Sequence, residues 1–172
     1  MEDFYFVGPH RIYVQKRPGG PRTLLFLHQS SGSSAVWDSQ CSDPALGEFT
    51  LIRIDLPGHG RSSHSKAPDL DYTLRGMSQV LGALVKELAL DDYIVVAISL
   101  STNLSAEAAW LLGNCKGFFL AGACVVAKDL QPQDILLPFE YGEVLFTAIP
   151  EMDGLNGYLR GLYDGKEVSV FK

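Results

Sequence analysis

Residues 94–103 read IVVAISLSTN, and the stretch changes character at Ser99. Before it, Ile94, Val95, Val96, Ala97 and Ile98 form the apolar, β-branched run of a buried strand. After it, residues 101–112 suit a helix closed by Gly113-Asn114. A strand that ends in small-x-Ser-x-small and runs straight into a helix has the geometry of a nucleophile elbow. In such a turn the serine is held on a strained backbone with its Oγ above the sheet. Its flanking positions are small because strand and helix backbones pass close together. Glycine is usual at both; here they are Ala97 and Ser101. Taken alone, the same pattern also suits a serine that merely caps a helix.

Working outward, the pattern repeats. Residues 74–90 place Leu74, Met77, Leu81, Leu84, Val85 and Leu88 on one helical face. Thr73 is the expected N-cap, and no glutamate follows three residues later to complete a capping box. Residues 23–28 (TLLFLH) and 49–56 (FTLIRIDL) are short continuous apolar runs, as in strands covered on both faces. Pro57-Gly58-His59-Gly60 ends the second as a turn. A short helix is expected around Trp37 within residues 33–47. Residues 4–7 and 11–16 alternate around Gly8-Pro9, which predicts an antiparallel hairpin at a sheet edge. Residues 118–126 (FFLAGACVV) read as a further buried strand. Apolar strands alternating with helices imply an α/β fold, a mostly parallel sheet with helices on both faces. Right-handed crossovers put the carboxyl ends of the strands along one edge, the edge where such sheets bind ligands. The turns after His28, Leu56 and Ala97 belong to that edge.

Composition narrows the function. With 47% hydrophobic and 20% charged residues, a 172-residue chain has enough apolar surface for one packed core. A net charge of −6 argues against a nucleic-acid partner or an anionic membrane surface. No stretch approaches the roughly 20 apolar residues of a membrane span. The acidic Met1-Glu2-Asp3 start lacks the basic and apolar regions of a signal peptide. Cys41, Cys115 and Cys124 are widely spaced and odd in number, so they read as reduced thiols of a cytoplasmic protein. No metal site, phosphate-binding glycine loop or other cofactor motif is expected. Asn103-Leu104-Ser105 matches the glycosylation pattern, a coincidence in a protein without a secretion signal.

Four segments taken together, "LLFLHQSSGSSAVW", "IRIDLPGHGRSS", "YTLRGMSQVLGALVKELAL" and "YIVVAISLSTNLSAEAA", resemble in order and spacing the N-terminal core of the α/β-hydrolase fold family. The most specific piece is "DLPGHGRSS". The resemblance implies that Ser99 is the catalytic nucleophile. It also implies that the backbone N–H groups of Gln29 and Leu100 form the oxyanion hole. The start of a helix suits that charge, since its free N–H groups and dipole favour an anion. Residues 1–130 would form the core and residues 131–172 the start of a lid or a C-terminal appendage. Leu155, Tyr158, Leu159 and Leu162 make a short apolar helical face in that second part.

A serine hydroxyl needs a general base, usually a histidine oriented by a carboxylate. The family order is serine, acid, histidine. His10, His28, His59 and His64 all precede Ser99, and no histidine follows it. Asp129, Asp134, Asp153 and Asp164 do follow; Asp129 lies nearest a strand end but reads more simply as a solvated loop carboxylate. The expectation is therefore a fold incomplete at its C-terminus, and a chain inactive by itself. Two functions stay open. One is a serine hydrolase acting on a carboxylic ester or related acyl substrate, without the segment that carries acid and histidine. The other is a non-catalytic module of the same fold that binds a small apolar ligand or a protein partner. An uncovered sheet edge would favour a homodimer or a complementary fragment.

Overall fold

The computed structural model describes residues 1–122 and Asp153. Asp153 apart, these belong to the first of two units into which the chain divides, Met1–Val125. The expected lid at 131–172, its face of Leu155, Tyr158, Leu159 and Leu162, and Asp129, Asp134 and Asp164 lie outside the described residues.

The chain opens as a hairpin of β1 (Glu2–Val7) and β2 (His10–Arg17), antiparallel, with Val7 opposite His10. Gly8 makes the reversal at φ +55°, a backbone state that costs glycine little. Then come β3 (Thr23–Leu27), α1 (Asp38–Ser42) between two 3-10 turns, and β4 (Thr50–Ile54). The single-turn α2 (Pro68–Asp71) precedes α3 (Leu74–Glu87). β5 (Tyr93–Ile98), α4 (Leu100–Ala108) and β6 (Cys115–Ala121) follow. The sheet order is β1-β2-β4-β3-β5-β6. β2 runs antiparallel to β4, and β4, β3, β5 and β6 are mutually parallel.

Side-chain alternation explains why the central strands read as unbroken apolar runs. Leu25, Leu27, Ile52, Ile54, Val95 and Ala97 face one core with Leu81, Leu84 and Leu104 from α3 and α4. Leu24, Phe26 and Leu51 face a second, smaller core under Trp37. Both faces are covered, so all five residues of β3 are buried.

Local signals set the helix ends. The Thr73 side chain accepts the Gly76 N–H at 3.0 Å, the expected N-cap. Gly76 stands where a capping box would carry glutamate, and a Cβ there would lie 2.3 Å from the Leu70 carbonyl oxygen. α2 packs too closely for anything larger. At the other end α3 stops at Glu87, three residues short of the expected 90. Ala89, at φ +49°, turns the chain, and the Leu90 N–H donates back to Val85 while the Ala89 N–H donates to Lys86.

One strand departs from expectation. β6 begins at Cys115 rather than residue 118, and it is not buried: Phe118, Phe119 and Leu120 are 42%, 63% and 42% exposed. Apolar composition alone cannot separate a central strand from one whose only described neighbour is β5. Residues 123–126 of the expected strand lie outside the described residues.

Candidate active site

Ser99 sits between β5 and α4 with φ 52° and ψ −123°, a conformation that non-glycine residues avoid. The surroundings hold it there. Its N–H donates to the Ala121 carbonyl at 3.0 Å, and its carbonyl accepts from the Thr102 N–H at 2.9 Å and the Thr102 hydroxyl at 2.7 Å. Its Oγ has no hydrogen-bond partner among the described residues, and the residue is half-buried. The Leu100 N–H, first in α4, also has no acceptor among the described residues, as expected in the opening turn of a helix. Ala97 and Ser101 are fully buried, as a close crossing of strand and helix requires. Ser101 does more than fit, because its hydroxyl donates to the His28 carbonyl at the end of β3. Asn103-Leu104-Ser105 lies within α4 with Ser105 fully buried, a poor setting for glycosylation.

The loop after β3 is tied down through His28, which is fully buried. Its Nε2 accepts the Leu56 N–H at 3.0 Å, so Nδ1 carries the proton and donates to the Gln29 carbonyl at 2.6 Å. Burial pushes its pKa down to about 4, and the neighbouring His59, with ring centroids 5.0 Å apart, pushes the same way. His28 is thus a neutral brace with both nitrogens engaged. The Gln29 N–H has no acceptor among the described residues, while its side chain lies against Gly32. His59 is likewise held in its turn, its Nδ1 3.0 Å from the Pro57 carbonyl.

Sequence reading passed over Asp55. It is 2% exposed at the end of β4, and its carboxylate accepts the Ser34 N–H at 2.7 Å and the Arg61 N–H at 2.8 Å. The Ser62 hydroxyl donates to the Asp55 carbonyl at 2.6 Å and accepts the Tyr13 N–H at 2.9 Å. One short segment therefore links β2, β4 and the loop after β3. A carboxylate at the end of an apolar run was the available signal, since burying one demands several donors. His10, another early histidine, is 4% exposed with Nε2 3.4 Å from an Asp71 carboxylate oxygen, and serves to hold α2 against the hairpin.

The described geometry can therefore present a partly exposed serine hydroxyl at a strained turn. Leu100 follows it in sequence, and the Ser101–His28 hydrogen bond joins its turn to the loop that carries Gln29 and to the neutral buried imidazole. Among the described residues no cluster of potential ligands could hold a metal ion, and no helix is long and apolar enough to cross a membrane.

Comparison with known proteins gives the family of the fold. The family described as the alpha/beta hydrolase fold matches residues 22–147. Over 123 residues the chain is 30% identical to 2-succinyl-6-hydroxy-2,4-cyclohexadiene-1-carboxylate synthase of Escherichia coli, covering 69% of this chain and 42% of that protein. Over 99 residues it is 30% identical to the dihydrolipoyllysine-residue acetyltransferase component of the acetoin cleaving system of Cupriavidus necator, covering 58% of this chain and 25% of that protein. Among solved structures, an N-acyl homoserine lactonase with N-butanoyl homoserine superposes with a TM-score of 0.67 at 26% identity, over 71% of this chain and 44% of that one. An epoxide hydrolase from Vigna radiata superposes with a TM-score of 0.58 at 21% identity, over 70% and 37%, a likeness of fold alone. The chain spans less than half the length of each of these relatives.

Proposed function

Because this chain belongs to the alpha/beta hydrolase fold family, we propose that it carries the nucleophile and oxyanion donors of a serine hydrolase acting on a carboxylic ester or related acyl substrate. The observation that carries this reading is the backbone of Ser99, held at φ 52° between β5 and α4. A strained turn is kept only where surrounding structure enforces it, and such strain clusters at reactive sites. Ser99 Oγ attacks the acyl carbon, and the Gln29 and Leu100 N–H groups receive the negative charge that develops on the carbonyl oxygen. Two aimed donors of this kind are worth about 3–4 kcal/mol each in the transition state.

The general base is the missing part. No histidine follows Ser99, and both nitrogens of His28 are already bonded. The reading therefore requires a histidine, oriented by a carboxylate, that does not follow Ser99 within residues 1–172, and it is tested on a longer product. The test is fluorophosphonate labelling followed by peptide mass mapping. A longer product should be labelled at Ser99, with residues 1–172 labelled slowly or not at all. Labels mapping elsewhere, or inertness of the longer product, would reject the hydrolase. Brisk ester turnover by residues 1–172, abolished by Ser99→Ala, would place the base among the other early histidines, His10, His59 and His64.

The same shortage of a base supports the alternative, a non-catalytic module binding a small apolar ligand or a protein partner. Under that reading Ser99→Ala leaves ligand affinity unchanged and no acyl-enzyme forms with any substrate.

A further inference from the structure

Resting on the assignment of Gln29 as an oxyanion donor, we propose that Ser101 is a positioning residue that sets the direction of the Gln29 N–H. The carbonyl of His28 and the N–H of Gln29 belong to one peptide unit. That unit is planar and trans, so the two groups point to opposite sides of it. The Ser101 hydroxyl donates to the His28 carbonyl, and Ser101 is fully buried. Fixing the carbonyl fixes the N–H at the other side of the same plane.

A second clamp acts on the next peptide. The Gln29 carbonyl accepts from His28 Nδ1 at 2.6 Å, and His28 is itself held by the Leu56 N–H. Both peptide planes that flank the Gln29 Cα are therefore pinned. The Gln29 N–H between them has no acceptor among the described residues. A donor held in place with its own partner missing is what stabilises charge without reorganisation. Ser101 also adjoins Leu100 at the start of α4, whose N–H likewise has no acceptor among the described residues. One residue thus couples the donor of the β3 loop to the donor of the helix.

This accounts for serine at a position where glycine is usual. Serine is the smallest side chain able to cross the gap between α4 and the end of β3 with a hydroxyl. Glycine or alanine would leave the His28 carbonyl without this bond and the peptide plane free to turn.

The test is made on the 172-residue chain with Ser101→Ala and Ser101→Gly, using Ser78→Ala, a buried serine on α3, as the control. The first readout is the residual dipolar coupling of the Gln29 N–H, which reports its direction whether or not the protein is active. Both Ser101 variants should change it while the couplings of Leu25 and Leu27 stay put, and Ser78→Ala should leave it alone. An unmoved Gln29 coupling in Ser101→Ala overturns the proposal. The second readout is the rate of fluorophosphonate labelling at Ser99 in the longer product. Ser101→Ala should lower it roughly 10-fold or more, since one well-aimed donor is worth still more than that. A moved coupling with an unchanged labelling rate also overturns the proposal. A moved coupling in a protein whose wild type is never labelled upholds the clamp and rejects the hydrolase reading instead.

Discussion

His28 joins two strand ends: its Nε2 accepts the Leu56 N–H at 3.0 Å beyond the last residues of β3 and β4. The bond needs a neutral imidazole, and burial supplies one by lowering the pKa from 6.5 to about 4. In the unfolded chain the ring takes up its proton near 6.5, so acid favours unfolding. This contribution is complete above about pH 6.5, is lost as pH falls toward 4, and levels off below that. The loss should amount to ~3 kcal/mol. Urea denaturation from pH 7 to 5 checks it against His28→Gln, which should be less stable at pH 7 and lack most of the slope. A wild-type curve flat across that interval would contradict the role given to His28.

Gly60 stands against Asp55. Its φ is +49°, and a Cβ there would lie 2.2 Å from an Asp55 carboxylate oxygen. Gly60→Ala should therefore push the carboxylate off the Ser34 and Arg61 N–H groups and cost roughly 2–4 kcal/mol, strain and lost hydrogen bonds together. Gly8 has φ +55° but nothing within 4 Å of such a Cβ, so Gly8→Ala should cost only about 1 kcal/mol. Equal midpoints for the two variants in denaturant would show that the Asp55 contact is unimportant.

Ser99 should be replaceable at a gain. Glycine relieves a φ of 52° that serine and alanine both resist. Ser99→Gly should be about 1–2 kcal/mol more stable than Ser99→Ala, with neither reacting with a fluorophosphonate. The comparison of the two variants isolates the backbone, because both lack the hydroxyl. Matching stabilities would mean that the turn is not strained.

Ala89 occupies the left-handed position that ends α3, where glycine is the usual residue. Ala89→Gly should raise stability by about 0.5–1 kcal/mol, the relief being partly offset by the greater freedom of glycine in the unfolded chain. The urea midpoint should rise with an unchanged slope. A fall would indicate that the methyl group packs against something of value.

Where interactions are close in sequence, the sequence was readable. The N-cap at Thr73, the apolar face of α3, the hairpin about Gly8 and the turn at Ser99 each depend on residues within a few positions of one another. The parallel sheet also followed, because a strand buried on both faces must be apolar throughout. Less local facts were harder to read. Leu70 and Asp71 belong to the short α2, which was not expected. Phe118 and Phe119 have the composition of a core strand and yet are exposed.

Sequence by itself thus determined the alternation of strands and helices, the family, and the placement of Ser99 at a strand-to-helix turn. Tertiary structure alone decided how the turns along that edge are joined. Ser101 reaches His28 across 73 positions, His28 reaches Leu56 across 28, and Asp55 reaches Ser34 across 21. Each pair combines ordinary residues whose spacing carries no signal. Their polar atoms must still find partners once buried, and only the order and register of β4, β3 and β5 place those partners within reach.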